Sequence, residues 1–143
     1  MKLALFVHLV AFALGFGAVL LVDIIGALWV ARRVKKSQLL WISSIAQKVI
    51  WVSVVLLVVS GGFLLPETLS PRTKLKLTAV VFLIANGFVL DRLHKLTEQA
   101  EADDFWALPR NLQLMNVAAI TLSQLLWWTA VIVGFLNSSS HTL

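Results

Sequence analysis

The fold is decided by the stretch from Leu3 to Ala31, which reads LALFVHLVAFALGFGAVLLVDIIGALWVA. His8 and Asp23 are its only ionisable residues. A basic cluster follows it, made of Arg32, Arg33, Lys35 and Lys36. About 20 apolar residues are enough to cross a bilayer as a helix. We therefore expect a membrane-spanning helix here. Because the stretch exceeds the apolar region of a signal peptide, we expect it to be retained.

The composition of the whole chain agrees with a membrane protein. Of 143 residues, 59% are hydrophobic and 13% are charged, whereas soluble domains carry roughly 25% charged residues. The mean hydropathy is +0.91. The net charge of +5 comes from basic residues at the ends of apolar runs, so we expect no nucleic-acid binding. The absence of cysteine excludes disulfides, thiolate metal sites and cysteine nucleophiles.

Four apolar runs predict four helices, over about 3–31, 39–65, 71–100 and 109–136. The third helix has its membrane part at 75–90, and Ser70 followed by Pro71 predicts its N-cap and first residue. Because the connections are short, consecutive helices should be antiparallel. We predict an all-α fold, in which residues 1–143 form a single transmembrane domain. This domain is an integral membrane four-helix bundle with up-down-up-down topology.

Small and polar residues predict which helix faces meet. In the first helix, Ala11 with Gly15 and Ala13 with Gly17 form pairs that allow close helix approach. Asn86 in the third helix is expected to make an interhelical hydrogen bond. A polar face of the fourth helix should point into the bundle, and it consists of Gln113, Asn116 and Ser123.

Two charges are predicted to lie inside the membrane, Asp23 in the first helix and Lys48 in the second. Counted inward from the first basic loop, they lie at similar depth. An unpaired charge at that depth is costly, and such charges usually pair. We predict an Asp23–Lys48 ion pair. The alternative is that Lys48 extends toward the interface while Asp23 is protonated.

Lysine and arginine counts predict the orientation. Eight basic residues belong to the loops 32–38 and 101–108 with their flanks, and four lie on the other side. Positive residues favour the cytoplasmic side. We therefore expect both of these loops in the cytoplasm and both termini outside. We expect the membrane to be a bacterial inner (plasma) membrane.

Three histidines are candidates for binding a cofactor: His8, His94 and His141. His8 is expected near the outer end of the first helix and His94 near the inner end of the third, so one subunit cannot clamp a haem between them. Phosphate loops, Ser-His-Asp sets and HExxH motifs are absent from the sequence. The most promising cluster is His8 with Lys74 or Lys76 at similar depth. The alternative is that His8 is a hydrogen-bonding group between helices.

Several residues along the chain follow the order of a known family's motifs. They are His8, then Gly15 and Gly17, Lys76-Leu77, Arg92, and Arg110-Asn111. In this order and spacing the chain resembles the four-helix membrane protoporphyrinogen oxidase family, and more loosely the copper-resistance membrane proteins of similar build. The chain departs from the family pattern at two places. The family's histidine in helix three falls around Asn86-Gly87 here, and its Asn-Glu-x-Pro sequence after the arginine is missing and is replaced by Asn111-Leu112-Gln113.

The resemblance implies that the protein binds haem b or a porphyrin, with His8 as the axial metal ligand. The cofactor-binding residues that it implies are His8, Lys76, Asn86 and Arg110. If the protein is an enzyme, the resemblance implies an oxidoreductase of the porphyrinogen type.

Two other functions remain open. The first is a noncatalytic accessory subunit of a larger membrane redox complex, because the chain has little material outside its apolar runs. A chain that consists almost wholly of apolar helices would also suit a homo-oligomer. The second is a small transporter or ion-path protein. It would use the polar residues within the helices, namely Asp23, Lys48, Asn116 and Gln124.

Overall fold

The computed structural model describes residues 2–64 and 70–139, except for the side chains of 137–139. Four long helices account for nearly all of it: α1 (Lys2–Val30), α2 (Lys36–Phe63), α3 (Pro71–Gln99) and α4 (Arg110–Ser139). A single 3₁₀ turn, Phe105–Ala107, lies between α3 and α4. The predicted all-α four-helix bundle with up-down-up-down topology is confirmed.

The ends of the helices follow from local capping. Ser70 caps α3 as predicted, since its Oγ accepts a hydrogen bond from the Thr73 N–H at 3.2 Å. The second helix begins at Lys36, three residues before the predicted start. Its polar first turn is helical because the Gln38 side chain accepts from the Lys35 N–H at 2.9 Å. The predicted end of this helix, at 65, lies outside the described residues.

All four helices are long and apolar enough to cross a membrane, with mean hydropathies of 1.6 to 2.5 over their best 18-residue windows. Large apolar side chains cover the outside of the bundle. Leu3, Phe63 and Phe135, for example, are 74%, 77% and 71% exposed. A continuous apolar exterior of this kind requires lipid as its solvent. The prediction of an integral membrane protein is confirmed.

The helices pack as two antiparallel pairs, the first hairpin (α1 and α2) and the second hairpin (α3 and α4). Within the first hairpin the backbones approach closely at Gly15. A Cβ atom placed there would lie 2.8 Å from the Ser53 Cβ. Ala11 is also buried, so the predicted Ala11–Gly15 pair does mark a helix contact. At Gly17, in contrast, a Cβ atom would meet nothing within 4 Å.

One end of the bundle carries the loops 31–35 and 100–109, and we call it the double-loop end. The opposite, terminal end carries the N-terminus. The apolar core cluster lies at the double-loop end, where the two hairpins meet. It contains Trp29, Leu39, Leu93, Phe105, Leu108, Leu112 and Ala119.

Hydrogen bonds between the two hairpins reinforce this end. The Trp29 indole donates to the Asp103 carbonyl at 2.9 Å, and the Trp106 indole donates to the Val30 carbonyl at 3.0 Å. The buried Lys36 ammonium donates to two carbonyls, those of Ala100 at 2.5 Å and Ala102 at 3.2 Å. An ion pair of 2.8 Å joins Arg32 to Asp104. The double-loop end is therefore closed by polar contacts around an apolar core.

We expect Gly15→Ala to destabilise the protein and Gly17→Ala to leave it intact. The new methyl group at position 15 would overlap Ser53, and overpacking of this kind costs about 1–3 kcal/mol. At position 17 the methyl group has open space, and alanine gains up to about 1 kcal/mol of helix propensity. Thermal unfolding of both variants in one detergent, followed by circular dichroism, measures the difference. Equal stability of the two variants would contradict the close contact at Gly15.

Candidate functional site

A cavity of about 480 Å³ lies between the two hairpins. Side chains of all four helices line it. The two helices of each hairpin pack closely against each other, whereas contacts between the hairpins are made mainly by large side chains. Most of the lining is apolar. The polar lining residues are Asp23, Ser43, Gln47, His94, Thr97, Asn116, Thr121 and Ser123.

Asp23 is the only carboxylate among the residues that line this cavity. Its Oδ2 accepts a hydrogen bond from the Gln124 amide of α4, which joins the two hairpins within the membrane. The Trp128 indole N–H donates to the Gln124 Oε1 at 3.2 Å. An indole can only donate, so it fixes the amide with its nitrogen toward Asp23. The three side chains form one oriented chain of hydrogen bonds.

The predicted Asp23–Lys48 ion pair is not formed. Lys48 is exposed, and the ion pairs among the described residues are Arg32–Asp104 and Lys95–Asp91. The two residues do lie at similar depth, but depth alone does not place side chains on facing sides of two helices. Asp23 points toward the second hairpin, where Gln124 supplies its hydrogen bond.

The rest of the predicted polar positions divide into two groups. Asn86 is buried, and its amide donates to the Ala119 carbonyl of α4 at 2.9 Å, so the predicted interhelical hydrogen bond is confirmed. Asn116 and Ser123 line the cavity, as expected of a face that points inward. Gln113 instead donates to the Leu108 carbonyl, at 2.9 Å, and to the Trp106 carbonyl. It therefore holds the loop that precedes α4.

Near the terminal end, His8 joins α1 to α2. Its Nδ1 lies 2.9 Å from the Ser60 Oγ. The Ser60 hydroxyl donates its own hydrogen to the Leu56 carbonyl at 2.5 Å. Ser60 must therefore accept from His8, which assigns the ring hydrogen to Nδ1 and leaves a lone pair on Nε2.

Of the two lysines that were considered with His8, Lys76 is the one that lies near it. Lys76 is half-buried and close enough for its charge to act on the His8 ring, whereas Lys74 is exposed. A Cβ atom at Gly61 would lie 3.5 Å from the His8 Cε1, an ordinary contact distance. His8 is thus a hydrogen-bonding group between helices, with the half-buried Lys76 near its ring.

The four residues implied as cofactor-binding do not form one site. His8 and Lys76 lie near the terminal end, and Asn86 lies in the middle of α3 with its amide bound to α4. Arg110 is exposed at the double-loop end. His8 precedes Val30 by 22 residues, which corresponds to about 33 Å along the helix. A single porphyrin cannot bridge that distance. His141 lies outside the described residues.

Sequence reasoning missed three features of the interior. Lys36 belongs to the basic loop 32–38 by sequence, but its ammonium is buried against the carbonyls of the second loop. The Thr97 Oγ1 is buried with no hydrogen-bond partner among the residues that the structure describes, and the residue lines the cavity. The spacing of Gln124 and Trp128, one helical turn apart, was the available signal for the third feature, the chain that reaches Asp23.

No protein-family model matches this chain, and neither the curated proteins nor the solved structures include a significant match. The resemblance to membrane protoporphyrinogen oxidases therefore stays a prediction. Within residues 2–64 and 70–139, no group of three or more His, Asp or Glu side chains is placed to hold a metal ion.

We expect Lys48→Gln to change the free energy of unfolding by less than about 0.5 kcal/mol, because Lys48 is exposed and has no ion-pair partner among the described residues. In a double-mutant cycle, Lys48→Gln and Asp23→Asn should be additive within about 0.5 kcal/mol. The matched cycle of Asp23→Asn with Gln124→Leu should show a coupling of at least about 0.5 kcal/mol, because these side chains are in contact. Coupling between Lys48 and Asp23, together with additivity between Asp23 and Gln124, would support the Asp23–Lys48 ion pair instead.

Proposed function

We propose that this protein is an integral membrane protein that binds haem b or a porphyrin near the terminal end of the bundle, with His8 as the axial ligand. The observation that carries the proposal is the His8–Ser60 hydrogen bond. Ligating histidines usually donate their second ring N–H to an oxygen, which fixes the tautomer and the orientation of the ring. Ser60 accepts from Nδ1, which leaves Nε2 as the ligating atom.

Two further features support a porphyrin at this position. The Lys76 ammonium near His8 is suited to the carboxylates that a haem carries on its edge. Leu5 precedes His8 by one helical turn and is exposed, so it offers an apolar surface for the ring on the same helix face. One histidine supplies one axial position. The haem itself would supply redox or oxygen chemistry, and the protein would set its orientation and surroundings.

An absorption spectrum of the detergent-purified protein, before and after addition of haemin, tests the proposal. We expect a Soret band that is lost in His8→Gly and is restored by added imidazole. His94→Ala is the matched control, because His94 lines the cavity between the hairpins and not the His8 site. A band that survives in His8→Gly, or that depends on His94, would refute the proposal. Protein without any pigment, together with loss of a larger complex on deletion, would favour the accessory subunit.

The serine and the lysine provide graded tests of the same site. Ser60→Ala should weaken haem binding about 10- to 100-fold, because loss of an orienting partner typically has this effect on a metal site. Ser44→Ala is the control, since Ser44 in the same helix only donates to the Trp41 carbonyl of its own turn. Lys76→Gln should weaken binding more than Lys74→Gln does. Haem titration monitored at the Soret maximum measures all four variants.

We also propose that the double-loop end faces the cytoplasm of a bacterial cell and that both termini lie outside. This orientation rests on the basic residues of loop 32–38 and on those that flank loop 101–108, such as Arg92, Lys95 and Arg110. Because the chain contains no cysteine, single cysteines report topology directly. Ser37 and Lys2 are both exposed and lie at opposite ends of the bundle. In intact cells an impermeant maleimide should label Lys2→Cys but not Ser37→Cys, and the opposite labelling would reverse the orientation.

A further inference from the structure

We propose that the cavity between the two hairpins binds a lipophilic organic cation, with the Asp23 carboxylate as its counter-ion. The cavity lies apart from the His8 site, since His8 is not among its lining residues. This proposal is therefore independent of haem binding. The volume of the cavity, about 480 Å³, falls within the range of roughly 300–1,000 Å³ that is typical of small-molecule sites.

Asp23 determines the charge of the ligand. Its Oδ2 has one neutral donor, Gln124, and its Oδ1 makes no hydrogen bond to any described residue. Among these residues no lysine, arginine or histidine lies within ion-pair distance of it. Trp128 holds the Gln124 amide in the donating orientation, so Asp23 is kept as an acceptor. An acidic group within a membrane helix that faces a cavity marks a functional site and calls for a positive partner.

The walls of the cavity determine the class of cation. Three tryptophans from different helices line it, Trp29, Trp51 and Trp127, and Phe105 adds a fourth ring. Aromatic faces attract organic cations when these are desolvated. Among the described residues no group of three or more His, Asp or Glu side chains is placed to hold a bare metal ion. Among the described residues, the titratable side chains of the lining are Asp23 and His94, so Asp23 is the one that can carry a negative charge.

The charge requirement is tested with the unaltered protein. Full-length protein in detergent is dialysed to equilibrium against tetraphenylphosphonium and, separately, against neutral triphenylphosphine oxide. We expect saturable binding of one tetraphenylphosphonium per chain and at least tenfold weaker binding of the neutral compound. Equal affinities for the two compounds, or no saturable binding of the cation, would overturn the proposal. This comparison needs no variant and does not depend on how a mutant folds.

The role of Asp23 is tested with a matched pair of carboxylate variants. Asp23→Asn should weaken tetraphenylphosphonium binding at least tenfold. Asp91→Asn should leave it unchanged, because Asp91 lies outside the cavity and pairs with Lys95 at 3.5 Å. Unchanged binding in Asp23→Asn would show that the cation does not use this carboxylate, and the proposal would fail.

The location is tested by filling the cavity. Gly26 lines it, and a Cβ atom at Gly26 would meet no heavy atom within 4 Å, so Gly26→Leu can be accommodated without a clash at its Cβ. Gly134→Leu is the control, because Gly134 has the same open space but does not line the cavity. We expect Gly26→Leu to abolish binding while Gly134→Leu binds as the unaltered protein does. If both variants bind normally, the ligand lies elsewhere. If Asp23→Asn does not fold, the two glycine variants and the comparison with triphenylphosphine oxide decide whether the cavity binds the cation.

Discussion

Close backbone packing decides which helices pair in this protein, because lipid provides no hydrophobic force between them. The helices of a membrane bundle associate through van der Waals contact and hydrogen bonds, and small residues allow the contact to be close. Gly15 against Ser53 is such a contact in the first hairpin, and Ala11 continues it. Between the hairpins the contacts are made by large rings instead. Phe16 against Trp127, with ring centres 5.8 Å apart, is one of them. Small residues therefore define the first hairpin, and large rings between the two hairpins leave a space.

Polar groups join the two hairpins at defined depths. At the double-loop end the Lys36 ammonium and the Trp29 indole reach carbonyls of the second loop, around an apolar core. Deeper in the membrane, Gln124 reaches Asp23. Each of these donors crosses from one hairpin to the other, so the cavity is framed by fixed hydrogen bonds rather than by loose packing. The His8 site differs, because its hydrogen bond to Ser60 lies within the first hairpin.

The sequence predicted the helices well, because long apolar runs, a Ser-Pro cap and short loops are local signals. It also predicted the hydrogen bond of Asn86, since a buried amide in lipid must find a partner. The partner of Asp23 could not be predicted from depth. Depth is read along one helix, whereas pairing depends on the rotation of each helix about its own axis. The burial of Lys36 was equally hidden, because its acceptors are backbone carbonyls, which every residue has. The cavity arises from the relative placement of two hairpins and has no local signature.

The bond between Asp23 and Gln124 has a consequence for biosynthesis. The two residues are 101 positions apart, so the ribosome delivers the carboxyl group to the bilayer well before its amide. At roughly 5–20 residues per second the delay is on the order of 5–20 s. During that interval the first helix must remain inserted without its later partner. A central aspartate costs about 2.5–3.5 kcal/mol on the insertion scale, whereas each Leu, Ile, Phe or Val returns only about 0.3–0.6 kcal/mol. The hydropathy of α1, 2.5 over its best 18-residue window and the highest among the four spans, favours its insertion during that interval.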